Sequence, residues 1–207
     1  MKAVLTGGIA SGKSLFASFL EKEGVETLDA DDVSHDLESP GGEAVAEIVR
    51  EFGGGVLRED GGIDRAALAA RVFGEGGEER RKTLERIIHP KVEARIEAWL
   101  AEKTDRPRIA VVPLLFESGW EKKFDFVVCV TAGESLRVAR MAEKRGMKPQ
   151  EARARIAAQI PEAEKVRRAT VAVENRGSPE ELAQKARDIA LVLKRKKEED
   201  DRKQPMG

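Results

Sequence analysis

The strongest constraint on this chain is a glycine-rich segment at residues 7–14, with the sequence GGIASGKS. Gly7, Gly12, Lys13 and Ser14 meet the pattern G-x-x-x-x-G-K-[ST]. An apolar run at residues 3–5 comes before the segment, and a helical pattern at residues 13–23 continues from it. This order of strand, loop and helix predicts a phosphate-binding loop at the first strand–helix junction.

Each residue type in this loop has a chemical reason to be there. Glycines allow backbone conformations that turn successive N–H groups inward and so form a nest for an anion. Lys13 is predicted to reach the β- and γ-phosphates of ATP, and the Ser14 hydroxyl is predicted to bind Mg²⁺. The predicted nucleotide-binding residues of this segment are Gly8, Ala10, Ser11, Gly12, Lys13, Ser14 and Leu15.

Apolar runs that alternate with helical patterns predict a parallel sheet. The helical patterns lie at residues 13–23, 134–144 and 149–159, and Ser178 is predicted to cap a final helix. We therefore predict an α/β fold of the P-loop NTPase kind, with helices on both faces of a five-stranded parallel sheet. The predicted strands are residues 3–5, 25–28, 109–112, 126–130 and 170–173. The predicted core comprises residues 1–32, 108–132 and 168–200.

The segment between the second and third strands is too long for one crossover helix. Residues 33–107 show mostly helical patterns, interrupted by glycine-rich breaks, and are predicted to form a helical insertion that binds the second substrate. Pro90 is predicted to break or restart a helix within this insertion. At the other end of the sequence, residues 195–207 are predicted to form a charged tail.

Composition and missing motifs narrow the class of protein. The 37 basic and 38 acidic residues nearly cancel, whereas proteins that bind the nucleic-acid backbone usually carry a basic excess. The Asn-Lys-x-Asp motif of GTPases does not occur, and the third predicted strand does not end in the acidic pair of large ATPases. Cys129, the single cysteine, lies in an apolar run and is predicted to be a small buried residue. We expect a cytoplasmic small-molecule kinase without nucleic-acid or membrane partners, as a monomer or small homo-oligomer.

A kinase also needs a group that accepts or orients the proton of the acceptor hydroxyl. Asp29 and Asp31 are the candidates, because they follow the second predicted strand and chemistry gathers at the carboxyl ends of parallel strands. The alternative interpretation is that Asp31 or Asp32 only caps the helix that follows.

Cations are needed where charge develops on the transferred phosphoryl group. Arg137, Arg140 and Lys144 fall on one face of the helix predicted at residues 134–144. They could form a basic lid. As a bare pattern, the spacing favours the alternative, an exposed face paired with Glu134 and Glu143.

Together these residues resemble the dephospho-CoA kinase family. The resemblance is carried by LTGGI at residues 5–9, DAD at 29–31, DGGIDR at 60–65, LERIIHP at 84–90, PLLFE at 113–117, RIAAQ at 155–159 and NRG at 175–177. It implies ATP-dependent phosphorylation of the ribose 3′-hydroxyl of dephospho-CoA, a nucleoside-monophosphate-kinase-like core, and a mobile lid at residues 133–167. ATP and dephospho-CoA are then the small-molecule substrates, with Mg²⁺ as the cofactor.

The resemblance also assigns individual residues. Asp31 matches the family's catalytic aspartate and Arg140 its lid arginine, which together with Lys13 form the expected catalytic set. Asn175 and Gly177 lie where the adenine would rest. His89, Leu114 and Glu117 fall on family motifs and are assigned to the acceptor substrate, although a structural role for His89 stays open.

Two loop positions depart from the family pattern. Ala10 stands where the family usually has a third loop glycine, and is expected to be tolerated if its φ is negative. Leu15 replaces a threonine and removes a hydroxyl near the α-phosphate, which bears on nucleotide affinity. Arg137 stands where the family often has glutamine. A kinase for another nucleoside or small hydroxyl compound, and a regulatory module that binds nucleotide without transfer, are the alternative functions.

Overall fold

The computed structural model describes residues 1–73 and 77–203. The chain divides into two compact units: residues 1–28 with the chain from residue 103 onward, and residues 29–102. The predicted division placed these boundaries at residues 32/33 and 107/108. None of the helices in the described ranges is long and apolar enough to cross a membrane.

The first unit is built on a five-stranded sheet with the strand order β2-β3-β1-β4-β5. β1 pairs in parallel with both β3 and β4, and β4 pairs in parallel with β5. Leu5, in the central strand, is in register with Val111 on one side and Val128 on the other. The five predicted strands are confirmed, with ends that differ by at most two residues. Their bounds are β1 Ala3–Gly7, β2 Glu26–Asp29, β3 Arg108–Val111, β4 Phe126–Thr131 and β5 Val171–Glu174.

Every residue of β1 and β4 is buried. A strand can be buried on both sides only if both faces of the sheet are covered, as is typical of parallel sheets. Helices α1 (Lys13–Lys22) and α9 (Pro179–Lys203) share a buried apolar cluster with the strands, and each fully buried Leu or Phe contributes about 1.5–3 kcal/mol to it. Members of this cluster include Leu5, Phe16, Leu20, Val128, Leu182 and Leu193.

Three further helices follow β4 in the first unit: α6 (Glu134–Arg145), α7 (Pro149–Ala157) and α8 (Glu162–Arg168). The sequence predicted α6 and α7 but not α8, which is short and strongly charged. Ser178 caps α9 as predicted, because its hydroxyl accepts a hydrogen bond from the Glu181 N–H at 3.3 Å.

The second unit contains helices α2 (Ala30–Glu38), α3 (Val45–Phe52), α4 (Arg65–Val72) and α5 (Gly77–Ala101). Ion pairs join α5 to α3 and to the residues just before α3. Lys91 Nζ lies 2.8 Å from Glu47 Oε1, and Arg95 Nη2 lies 2.5 Å from Glu43 Oε1. The largely helical character predicted for this part of the chain is confirmed among the described residues.

The prediction that Pro90 breaks its helix is wrong, because α5 continues through it. Proline removes one helical hydrogen bond and costs about 3 kcal/mol in a helix interior. Buried Ile88, Val92 and Ile96 flank Pro90 on the same helix. Their packing holds the helix on both sides of the proline, while Pro90 itself faces solvent.

Candidate active site

The loop between β1 and α1 has the backbone of a phosphate-binding site. Gly12 precedes α1 with φ 96°, a left-handed conformation that favours glycine. The Phe16 N–H makes the first hydrogen bond of the helix, to the Gly12 carbonyl at 3.0 Å. The N–H groups of residues 13–15 precede that bond and therefore have no acceptor within the helix. They form the positive end of the helix dipole, where a phosphate is stabilised.

Ala10 also adopts a left-handed conformation, with φ 58°. A negative φ, the condition under which alanine was expected to be tolerated here, is therefore not met. A Cβ group in this region lies close to the following carbonyl oxygen, at a cost of about 1–2 kcal/mol. Ala10 is the only residue other than glycine with a positive φ in the described part of the chain. Neighbouring contacts must therefore stabilise the loop against its own local preference.

The side chains at the start of α1 suit nucleotide and metal chemistry. Lys13 is half-buried as the first residue of the helix, and Ser14 is exposed in the first turn. Magnesium keeps several waters and needs few protein ligands when phosphates complete its shell. The exposed Ser14 hydroxyl fits that requirement. Leu15 is also exposed. Because its side chain is apolar, only its backbone N–H can donate a hydrogen bond to a phosphate.

A buried hydroxyl adds to the polar lining of the loop. Ser11 is 1% exposed, and its Oγ has no hydrogen-bond partner among the described residues. Buried polar atoms usually have partners, so an unsatisfied one in a loop of this type fits a site that a polar ligand completes.

Arg140 of α6 contacts the loop through the loop's backbone carbonyl groups. Its Nη1 donates to the carbonyls of Ala10 at 3.3 Å and Ser11 at 3.1 Å, while Nη2 donates to the Asn175 carbonyl at 3.1 Å. Asn175 is buried, and its Nδ2 donates to the Ser11 carbonyl at 2.8 Å. The structure thus brings together three predicted site residues: Arg140, Asn175 and Ser11.

The close approach of Asn175 explains the glycine at position 12. A Cβ group on Gly12 would lie 2.0 Å from Asn175 Nδ2, so only glycine fits there while the amide keeps its bond. Gly177, the other predicted adenine contact, is exposed just before α9, beside an ion pair between Arg176 and Glu174 at 2.8 Å.

Arg137, one turn before Arg140, is 4% exposed, which excludes the exposed-face interpretation for this residue. Its Nε donates to the Ile9 carbonyl at 2.7 Å, and its Nη1 lies 3.8 Å from Glu162 of α8. Burial lowers the pKa of the Arg137 guanidinium, an effect that the nearby Glu162 carboxylate opposes. By contrast, Lys144 on the same face is exposed.

Gln159 ends the RIAAQ motif at residues 155–159, and the sequence did not indicate which groups it contacts. Its Oε1 accepts hydrogen bonds from the Ile9 N–H at 2.9 Å and from Arg137 Nη2 at 3.2 Å. These partners are 150 and 22 residues away in sequence, so no local pattern could have indicated them.

The assigned acceptor-side residues of the first unit differ in exposure. Glu117 pairs with Lys165 of α8 at 2.7 Å, and its Oε1 also accepts the Ile160 N–H at 3.1 Å. Lys165 is only 2% exposed, a buried charge that the sequence did not indicate. Leu114 is 51% exposed, which leaves its apolar surface accessible.

The second unit carries Asp31 and His89, both exposed. The residue that caps α2 is Asp29, whose Oδ1 accepts the Asp31 N–H at 2.9 Å. The capping interpretation of Asp31 is therefore wrong. Its carboxylate lies in the first turn of α2, two residues after the end of β2.

Residues 2–181 match the protein family described as dephospho-CoA kinase. A dephospho-CoA kinase of Symbiobacterium thermophilum is 45% identical over 177 residues, which cover 84% of this chain and 73% of the relative. Among solved structures, TT1252 from Thermus thermophilus aligns with a TM-score of 0.76 and 34% identity, covering 93% of this chain and 99% of that one. A dephospho-CoA kinase from Campylobacter jejuni aligns with a TM-score of 0.73 and 26% identity, covering 95% and 100%.

Proposed function

Because this chain belongs to the dephospho-CoA kinase family, we propose that it transfers the γ-phosphoryl group of ATP to the ribose 3′-hydroxyl of dephospho-CoA. The products are CoA and ADP, and the reaction is the final step of coenzyme A biosynthesis. The observation that carries the proposal is the family match over residues 2–181, which includes the phosphate loop, Asp31 and Arg140. The backbone conformation of the loop and its position at the start of α1 support it.

The transfer is an in-line displacement. The 3′-oxygen forms a bond to the γ-phosphorus while the bond between that phosphorus and the β,γ-bridging oxygen breaks, and ADP leaves. The proton of the hydroxyl passes to Asp31 and then to solvent. Because the transition state is loose, the exposed Asp31 carboxylate orients the hydroxyl more than it deprotonates it early.

Positive charge and backbone donors hold the phosphates. We assign Lys13 to the β- and γ-phosphates, the N–H groups at the start of α1 to the same oxygens, and Arg140 to the charge that develops during transfer. Bound Mg²⁺ neutralises phosphate charge, and Ser14 is the side chain that would hold it. Asn175 and Gly177 are assigned to the adenine side, whereas His89, Leu114 and Glu117 are assigned to dephospho-CoA.

Residues 133–167 are proposed to act as a lid. Their side chains already contact the carbonyls of the loop through Arg137 and Arg140. Closure over the nucleotide would exclude water and suppress hydrolysis of ATP. We further propose a cytoplasmic location, where both substrates are available, which cell fractionation would test.

The decisive experiment is incubation of the folded protein with Mg-ATP and dephospho-CoA, with CoA and ADP quantified by chromatography. Equal amounts of the two products are expected. CoA is the matched control acceptor, because its 3′-hydroxyl already carries a phosphate, and it should release no ADP above the rate without acceptor. Binding of ATP without formation of CoA would refute the proposal, and transfer to another nucleoside in a substrate panel would replace it.

A further inference from the structure

Ile9 and Ala10 form the tip of the phosphate loop, and side chains that follow β4 hold this tip by its backbone. The Ile9 N–H donates to Gln159 at 2.9 Å, and the Ile9 carbonyl accepts from Arg137 at 2.7 Å. The backbone N–H and the carbonyl of Ile9 are therefore both hydrogen-bonded to side chains. Those two side chains are also hydrogen-bonded to each other, from Arg137 Nη2 to Gln159 Oε1 at 3.2 Å.

The arrangement is enclosed. Arg137 is 4% exposed, and a Cβ group on Gly8 would lie 2.5 Å from its guanidinium. Ile9 and Ala10 also pack against a buried apolar cluster. The cluster consists of Val138, Met141, Met147 and Ala152, from α6, α7 and the segment between them. Hydrogen bonds in an enclosed setting are strong and expensive to leave half-made.

The strained backbone at Ala10 indicates what the hydrogen bonds of Gln159 and Arg137 do. Ala10 has φ 58°, a conformation that alanine does not favour, and it directly follows Ile9. A loop that must keep such a conformation needs an external constraint on an adjacent peptide group. Gln159 and Arg137 supply that constraint on both sides of Ile9.

We propose that Gln159 and Arg137 are positioning residues that fix Ile9 and Ala10 in the conformation that receives the phosphates of ATP. The inference rests on the proposed function, since it takes ATP as the ligand of the loop. Gln159 serves as a single acceptor for two donors, so an acceptor oxygen is its essential chemical feature. Arg137 serves as a rigid fork, with Nε and Nη2 directed at different partners.

The test compares Gln159→Met with Gln159→Glu. Methionine keeps the size of the side chain but removes the acceptor, whereas glutamate keeps an acceptor oxygen for both donors. Because methionine cannot accept the hydrogen bonds from Ile9 and Arg137, Gln159→Met is expected to weaken Mg-ATP binding about tenfold. Gln159→Glu should stay within about threefold of the unmodified protein. Gln184→Met, at an exposed position on α9, is the matched control and should bind as the unmodified protein does.

Kinetics separates positioning from simple support of the fold. In Gln159→Met the KM for ATP should rise about as much as the Kd, while the KM for dephospho-CoA stays within about twofold. Unchanged ATP affinity in Gln159→Met, or equal loss in Gln159→Met and Gln159→Glu, would overturn the proposal. Equal rises in both KM values, with a lower Tm, would show a merely structural role and also overturn it.

A double variant tests the connection to Arg137. If both side chains act through Ile9, adding Arg137→Lys to Gln159→Met should weaken ATP binding by no more than about twofold beyond the worse single variant. Multiplying effects would show two independent roles and refute the shared one. Calorimetric binding of Mg-ATP needs no turnover, so this result stands even if dephospho-CoA proves not to be the acceptor.

Discussion

The nucleotide side and the acceptor side of this protein are prepared to very different degrees. In the first unit, the phosphate loop is hydrogen-bonded to Arg137, Arg140, Gln159 and Asn175, with the Asn175 contact buried and the other three part-buried. In the second unit, the assigned residues Asp31 and His89 are exposed. A preorganised loop lowers the entropy cost of binding ATP, because its conformation is fixed beforehand. On the acceptor side, Asp31 and His89 are instead exposed and so accessible to the second substrate. Substitutions on the two sides should therefore affect different measurements.

Lys13→Ala, on the nucleotide side, is expected to cause the largest loss of activity. Removing a positive donor from the phosphates is expected to lower kcat/KM about 10³-fold. Lys22→Ala, in the last turn of the same helix, is the control and should retain full activity. A fall of less than about tenfold in steady-state assays would contradict the assignment of Lys13.

Asp31→Asn tests the acceptor side separately from the nucleotide side. It is expected to lower kcat about 10²-fold and to leave the Kd for ATP within about twofold. The free energy of unfolding should change by less than about 1 kcal/mol, since the cap of α2 belongs to Asp29. Asp32→Asn, in the same exposed turn, is the matched control. Normal kcat in the Asp31 variant would remove it from the catalytic set.

Ala10→Gly tests how far the loop is held against its own preference. Relief of the left-handed strain is expected to raise the free energy of unfolding by about 1 kcal/mol in denaturant titration. Ala17→Gly, within α1, should have the opposite sign and lower it by at least about 1 kcal/mol. Destabilisation by Ala10→Gly would show that flexibility gained in the unfolded chain outweighs the strain relieved.

Cys129 gives the smallest expected effect and reports on the sheet beneath the loop. Burial raises the pKa of its thiol from 9.0 to about 11, against a partly opposing effect of Lys165. The thiol should therefore stay protonated at pH 8 and resist disulfide reagents in the folded protein, yet react in denaturant. Because the folded pKa is the higher one, its contribution to stability is present below about pH 9 and lost as the pH rises towards about 11. Rapid labelling of the folded protein would show that the sheet opens locally.

The sequence predicted what depends on local pattern. Alternation of apolar runs and helical patterns was enough to find all five strands, and the G-x-x-x-x-G-K-S motif was enough to place the loop. Asp31 was correctly located at the end of β2, although the residue that caps α2 proved to be Asp29. These features depend on periodicity and on the chemistry of neighbouring residues.

What the sequence did not reveal depends on contacts between distant segments. The buried position of Arg137 follows from its bond to Ile9, 128 residues earlier, whereas its helix pattern alone favoured an exposed face. The ion pair between Lys165 and Glu117 and the hydrogen bonds that Gln159 accepts likewise join segments that are distant in sequence. Pro90 was predicted wrongly because the packing of α5 outweighs a local preference.

The space around Gly8 has a consequence for how this protein can vary. A methyl group at Gly8 would lie 2.5 Å from the Arg137 guanidinium, so the two positions compete for the same volume. Gly8→Ala should therefore be harmful beside Arg137 and better tolerated beside a shorter side chain such as glutamine. The order in which substitutions accumulate then matters, because Gly8→Ala requires the Arg137 guanidinium to shift unless a shorter side chain already stands at position 137.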